Sequence, residues 1–169
     1  GVMFWDTNNL ERIHECSAQE VFTTVATNPC GEIPLCPYDS CRLLAINLLS
    51  YVDKPFTKEA SFNFEKFKQH VEKAMRMMDD IIDLELEKIE LIINKIAADP
   101  EDEDIRRVEL ELWKKIRTMA RKGRRTGLGI TAEGDMLAAL GLRYGTPEAT
   151  AFAVKVQKTL ALEAYRASV

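Results

Sequence analysis

Three side chains of different chemistry stand at alternate positions in Thr27-Asn28-Pro29-Cys30-Gly31-Glu32-Ile33-Pro34-Leu35: an amide at Asn28, a thiol at Cys30 and a carboxylate at Glu32. In extended backbone, residues two apart point the same way, so the three are expected to face one pocket. A carboxylate beside an alcohol acts as a general base. A primary amide donates and accepts hydrogen bonds and can hold a hydroxylated ligand. A neutral thiol can give up a hydrogen atom, because S–H and activated C–H bonds are of similar strength. A second thiol, Cys41, follows eleven positions after Cys30 and could supply reducing equivalents by forming a disulfide. Pro29 and Pro34 restrict the backbone, while Gly31 allows close approach to a ligand. The candidate catalytic set is therefore Cys30, Glu32, Asn28 and Cys41, with Asn28, Cys30 and Glu32 also binding substrate.

The elements that must position this loop divide by composition. Residues 1–56 hold all four cysteines and lack helical periodicity; the rest, 57–169, is mainly helical. Val2–Trp5 reads as a buried strand and the β-branched run Val21–Thr27 as a second. Residues 28–40, rich in Pro, Gly, Asn and Asp, read as a loop. The apolar run Leu43–Val52 reads as a strand. Asn63 or Ser61 can cap a helix whose stripe runs Phe64, Phe67, Val71, Ala74, Met78, Ile81, changes phase near Asp83 and resumes at Leu86, Ile89, Ile93 and Ile96. Pro100 and the acidic run after it mark a turn. Ile105, Val108, Leu112, Ile116 and Met119 mark a second helix ending at Gly123. Thr126–Thr131 reads as a strand or tight loop leading to a helix over about 132–140 that Gly141 ends. Thr146-Pro147 starts another helix, with Thr as cap and Pro in the first turn.

With 46% hydrophobic residues among 169, the chain can build a core, so disorder is not expected. A net charge of -4 gives no sign of a nucleic-acid groove or an anionic membrane as partner. No apolar run approaches the ~18 residues of a membrane span, and the expected location is the cytoplasm. Both ends read as cut: Gly1 leads straight into an apolar run, and the helical pattern still continues at Val169. A fragment of a single catalytic domain is expected.

The pattern Asn28-x-Cys30-x-Glu32 resembles the radical-cysteine loop of ribonucleotide reductase large subunits. The fuller string NPCGEIPL, the YDSC of Tyr38–Cys41 and the AINL of Ala45–Leu48 are most similar to the adenosylcobalamin-dependent class. GVMFWDT at the start, GRRTGLGIT at Gly123–Thr131 and GDMLAALGLRYGT after it resemble the same family. The resemblance implies an α/β fold, part of a ten-stranded α/β barrel with the loop at its centre. It implies that Cys30 becomes a thiyl radical and takes hydrogen from C3′ of the ribose. Glu32 takes the 3′-hydroxyl proton, Asn28 hydrogen-bonds the sugar hydroxyls, and Cys41 is one of two cysteines that reduce C2′. The implied substrate is a ribonucleoside di- or triphosphate. The implied cofactor is adenosylcobalamin, or none bound directly if a metal-containing partner subunit supplies the radical. A thioredoxin-type reductant acting through C-terminal cysteines, and a homodimer, belong to the same implication. The second redox cysteine and the C-terminal pair are absent from this chain. No role carries over to Cys16 or Cys36. Burial in a barrel should keep Cys30 protonated, since desolvation raises a thiol pKa.

Other readings compete. The four cysteines with His14 could form a zinc or iron–sulfur module, but none of their spacings is the short pair such sites use, and no metal ligand is assigned. The chain could instead be a helical interaction domain with its N-terminal segment as a tail. Asp79-Asp80-Ile81-Ile82-Asp83 spells a magnesium–diphosphate motif but reads better as a solvated helix face. The basic residues Arg121, Lys122, Arg124 and Arg125 read as partners of a helix dipole.

Overall fold

The computed structural model describes residues 22–168; the expected strand at Val2–Trp5, together with His14 and Cys16, lies outside them. Strand β1 (Ala26–Thr27) pairs antiparallel with β2 (Pro34–Leu35), closing a hairpin around the candidate loop. Strand β3 (Arg42–Asn47) runs into a 3-10 turn (Leu48–Tyr51), then β4 (Val52–Asp53) and β5 (Ser61–Phe62) form a second small hairpin. Helix α1 (Phe64–Ala97) and helix α2 (Glu103–Gly123) follow, then strand β6 (Thr126–Thr131), α3 (Glu133–Ala139) and α4 (Pro147–Ala167).

The chain forms two compact units. One comprises residues 42–80 and 126–168, the other residues 22–41 and 81–125, so α1 contributes its first half to one and its second half to the other. In the first unit, β3 and β6 pair in parallel over six residues, from Arg42↔Thr126 to Asn47↔Thr131. Two parallel strands joined through helices are the α/β pattern that the sequence implied. The core beside them is built on Leu48, Phe67, Val71, Met136 and Val156, all fully buried. Tyr51, Phe62 and Phe67 meet edge to face or tilted, with centroids 5.1 to 6.0 Å apart. Such pairs add about 0.5–1.5 kcal/mol each beyond their buried area.

Several boundaries follow from local chemistry. Asn63, not Ser61, caps α1: its Oδ1 accepts from the Lys66 N–H at 3.0 Å, while Ser61 lies in β5. Thr146 caps α4 through its Oγ1 and the Ala149 N–H, with Pro147 at the first position. Gly141 takes a left-handed φ of 72° just past α3. At the end of α2 the left-handed residue is Arg124 (φ 41°), and Gly123 stays inside the helix, where a Cβ would come within 3.3 Å of the Phe22 ring.

Further expectations are corrected. Of the expected strand Val21–Thr27, Val21 lies outside the described residues, and residues 22–27 are strand only at Ala26–Thr27. The run Leu43–Val52 is broken by the 3-10 turn at Leu48–Tyr51, where the Asn47 side chain accepts from the Leu49 N–H and turns the chain. The expected loop 28–40 contains strand β2. The stripe of α1 does not change phase: Ile82 is fully buried and Ile81 is exposed, so the inward positions run 67, 71, 74, 78, 82, 89, 93, 96 without a break. The second stripe holds only in part, because Ile105, Val108 and Leu112 are exposed while Met119 is buried.

Candidate active site

The candidate loop is built by its own backbone. The Gly31 N–H donates to the Asn28 carbonyl at 3.0 Å, the i to i+3 bond of a β-turn, and Gly31 adopts φ 84°. The Asn28 N–H donates to the Ile33 carbonyl at 3.3 Å, and the Ile33 N–H donates back to Asn28 Oδ1 at 3.0 Å. Asn28 therefore closes the loop at both ends, once with its backbone and once with its side chain.

This replaces the extended backbone on which the alternation argument rested. Cys30 sits at the third position of a turn and is exposed, and Glu32 is exposed as well. Asn28 is half-buried, and its amide oxygen is occupied within the loop. What it keeps for a ligand is the donor end, the NH2 group. The loop is preorganised as expected, but by a turn instead of a pleat.

Cys41 is half-buried and lies immediately before β3. The desolvation expected for Cys30 falls on Cys36 instead. Cys36 is buried with Phe22 and Met119. Its thiol is pushed up to about 11, first by burial, then by the charge of Asp39 and the hydrogen bond to it. That bond runs from Sγ to Asp39 Oδ2 at 3.4 Å. The same Oδ2 accepts from Arg125 Nε at 2.7 Å, and Asp39 Oδ1 accepts from the Ser40 N–H at 2.9 Å. The Asp39 side chain is 4% exposed, so the Asp39–Arg125 pair is an interior one.

This pairing corrects the reading of the basic cluster. Arg125 is committed to Asp39 and Arg124 to Asp83 at 2.8 Å, while Arg121 and Lys122 keep the helix-end position. Arg124 in turn holds the Asp83 carboxyl below its ordinary range, through their hydrogen bond and charge. Among the described residues, no group of three His, Cys, Asp or Glu side chains could hold a metal ion. Nor does any helix among them have the length and apolarity to cross a membrane.

Known proteins resemble the chain over its whole length. The family model described as "Ribonucleotide reductase, barrel domain" matches residues 1–169. The chain belongs to the ribonucleotide reductase barrel-domain family. A vitamin B12-dependent ribonucleoside-diphosphate reductase of Thermoplasma acidophilum is 32% identical over 168 residues, 99% of this chain and 18% of that protein. A protein of the same name from Mycobacterium tuberculosis strain H37Rv is 29% identical over 143 residues, 85% of this chain and 16% of that protein. The chain thus spans under a fifth of the length of these reductases. No solved structure matches it. The reductase motifs quoted above fall at junctions of the fold. NPCGEIPL is the turn and second strand of the β1–β2 hairpin, AINL runs from the end of β3 into the 3-10 turn, and GRRTGLGIT joins the end of α2 to β6.

Proposed function

We propose that this chain is the central catalytic segment of an adenosylcobalamin-dependent ribonucleotide reductase that converts ribonucleotides to deoxyribonucleotides. The observation that carries the proposal is the turn from Asn28 to Ile33, which presents a thiol at its apex inside a chain of the reductase barrel family. The relatives named above are diphosphate reductases, which favours a ribonucleoside diphosphate as substrate.

Adenosylcobalamin, when bound, supplies the initiating radical chemistry. The loop fits such a group, because Cys30 is exposed at the apex of a fixed turn and can be reached by an external radical source. No residue of this chain is assigned to holding the corrin. Cys30, as a thiyl radical, takes the hydrogen atom from C3′ and becomes a thiol again. Glu32 accepts the proton of the 3′-hydroxyl. The Asn28 NH2, whose donors its bond to Ile33 does not use, donates to a sugar hydroxyl. Loss of the C2′ hydroxyl as water consumes two electrons and two protons, which Cys41 and a second thiol supply as they join in a disulfide. Cys30 then returns its hydrogen atom to C3′.

A ten-stranded barrel around this loop is part of the same proposal. Its support is the parallel β3–β6 pair, since two-stranded parallel sheets do not stand alone and parallel strands are ordinarily covered on both faces. A closed barrel would also keep radicals from water and stray thiols. A cytoplasmic location, a homodimer and a thioredoxin-type reductant are consistent with it and are proposed with it. The test is Cys30→Ala in the full-length enzyme. Deoxynucleotide formation is abolished while the ribonucleotide still binds, and residual turnover by that variant overturns the radical role.

A further inference from the structure

One side-chain cluster next to the catalytic loop has no part in the chemistry above. It consists of Cys36, Asp39 and Arg125, within one compact unit. Cys36 Sγ and Arg125 Nε donate to the same oxygen, Oδ2 of Asp39, at 3.4 and 2.7 Å. The turn from Cys36 to Asp39 is closed by the Asp39 N–H donating to the Cys36 carbonyl at 3.3 Å, and it forces Tyr38 into a left-handed φ of 63°. Strain at a non-glycine residue persists only where surrounding contacts over-determine it. Here those contacts are the ion pair and the Lys115 ammonium over the Tyr38 ring at 5.4 Å.

Position gives the cluster its meaning. Asp39 precedes Cys41 by two residues. Arg125 precedes Thr126, whose register partner is Arg42, the residue after Cys41. The ion pair therefore ties the chain two residues before Cys41 to the residue that leads into β6. At the same time three thiols, Cys30, Cys36 and Cys41, fall within one short stretch, and the proposed chemistry uses two of them. A third thiol free to ionise would divert the disulfide exchange, since the thiolate is the attacking form.

We propose that Asp39 is a positioning residue with two tasks: through Arg125 it fixes the segment that carries Cys41, and through Cys36 it keeps a neighbouring thiol out of disulfide exchange. The proposal extends the reading of Cys41 as a redox cysteine, while its second task stands on the cluster alone. Among the described residues, the groups facing Cys36 are the carboxylate of Asp39, the guanidinium of Arg125 and the apolar side chains of Phe22 and Met119. Burial and Asp39 both disfavour the thiolate; the charge of Arg125, and after it a backbone hydrogen bond at Cys36, oppose them.

Two charged groups acting in opposite senses give a test that simple loosening cannot imitate. The probe is iodoacetamide at pH 9 on the full-length protein carrying this segment, read cysteine by cysteine by peptide mass spectrometry. Attack by the Cys36 thiolate forms an S–C bond and expels iodide. In the native protein Cys36 reacts far more slowly than exposed Cys30. Asp39→Asn raises the Cys36 rate by about tenfold, the effect of one unit of pKa. Arg125→Gln lowers it, and Arg125→Lys leaves it near native. Oxidised glutathione gives the matching readout: Cys36 attacks its disulfide, one glutathione is released, and the mixed disulfide accumulates in Asp39→Asn only. An unchanged Cys36 rate in Asp39→Asn overturns the proposal, and so does acceleration in both Asp39→Asn and Arg125→Gln. Cys41→Ser tests the underlying reading separately: full turnover in that variant removes the redox role of Cys41, and the Cys36 rates remain valid without it.

Discussion

Replacing Asn28 separates the two tasks that the structure gives it. Its Oδ1 accepts from the Ile33 N–H at 3.0 Å, and its NH2 is the group proposed to meet the sugar. Asn28→Ala removes both. Asn28→Asp keeps the acceptor, now charged, and removes only the donor. A hydrogen bond of this kind contributes about 0.5–1.5 kcal/mol. Its loss should therefore speed local opening of the loop by about fivefold at the midpoint of that range. The assay is amide hydrogen exchange at Ile33, whose N–H is held by that side chain. Exchange is about fivefold faster in Asn28→Ala, and equal or slower in Asn28→Asp because a charged acceptor strengthens the bond. Deoxynucleotide formation by the full-length enzyme falls in both variants, further in Asn28→Ala, which loses loop order as well as the donor. Equal Ile33 exchange in all three proteins would mean that the side chain does not close the loop, and the reasoning from the turn would fail with it.

Further outcomes follow from the same geometry. Gly31→Ala forces a side chain into φ 84° and should cost about 1–2 kcal/mol of local stability, read as faster exchange at the Asn28 and Ile33 amides with the cores untouched. Ile82→Ala should destabilise the protein by about 2–5 kcal/mol, and exposed Ile81→Ala by less than about 0.5 kcal/mol, in urea unfolding. Equal losses at the two positions would restore the broken stripe. Asp83, whose carboxyl is lowered by Arg124, contributes stability that is present above its ordinary range and lost as pH falls through the lowered value. Arg124→Gln should remove that part of the acid dependence in unfolding between about pH 2 and 5. Tyr51 is raised by burial, so its contribution is present below pH 10 and is lost at more alkaline pH. Tyr51→Phe should flatten the alkaline limb of the same profile.

What could be read from the chain depended on the distance over which each feature acts. Asn63 and Thr146 as caps, and Gly141 as a stop, are decided within four residues, and those expectations match the structure. The turn was equally local. Asn-Pro-Cys-Gly places Pro second and Gly fourth, the signature of a β-turn, and reading it would have replaced the extended loop at once. Ile81 and Ile82 differ by one position on a helix, and only the partners of α1 decide which of them faces inward. The Asp39–Arg125 pair joins residues 86 positions apart, and the β3–β6 register is equally remote, so no local pattern encodes either. Cys36 had no assigned role for the same reason: its meaning lies in a carboxylate that a distant arginine holds in place.

The parallel pairing of β3 and β6 also bears on how the chain is made. Its first register pair, Arg42 and Thr126, is separated by 84 positions filled largely by two helices. At about 5–20 residues per second, the ribosome releases β3 some 4–17 s before its partner exists. Helices form in about a microsecond, so α1 and α2 can form as they are made, α2 ending only three residues before β6. During those seconds, while the helices are still being made, β3 is an open template, a ribbon of amides and carbonyls that β6 has yet to pair, and nascent-chain crosslinking should find chaperones there.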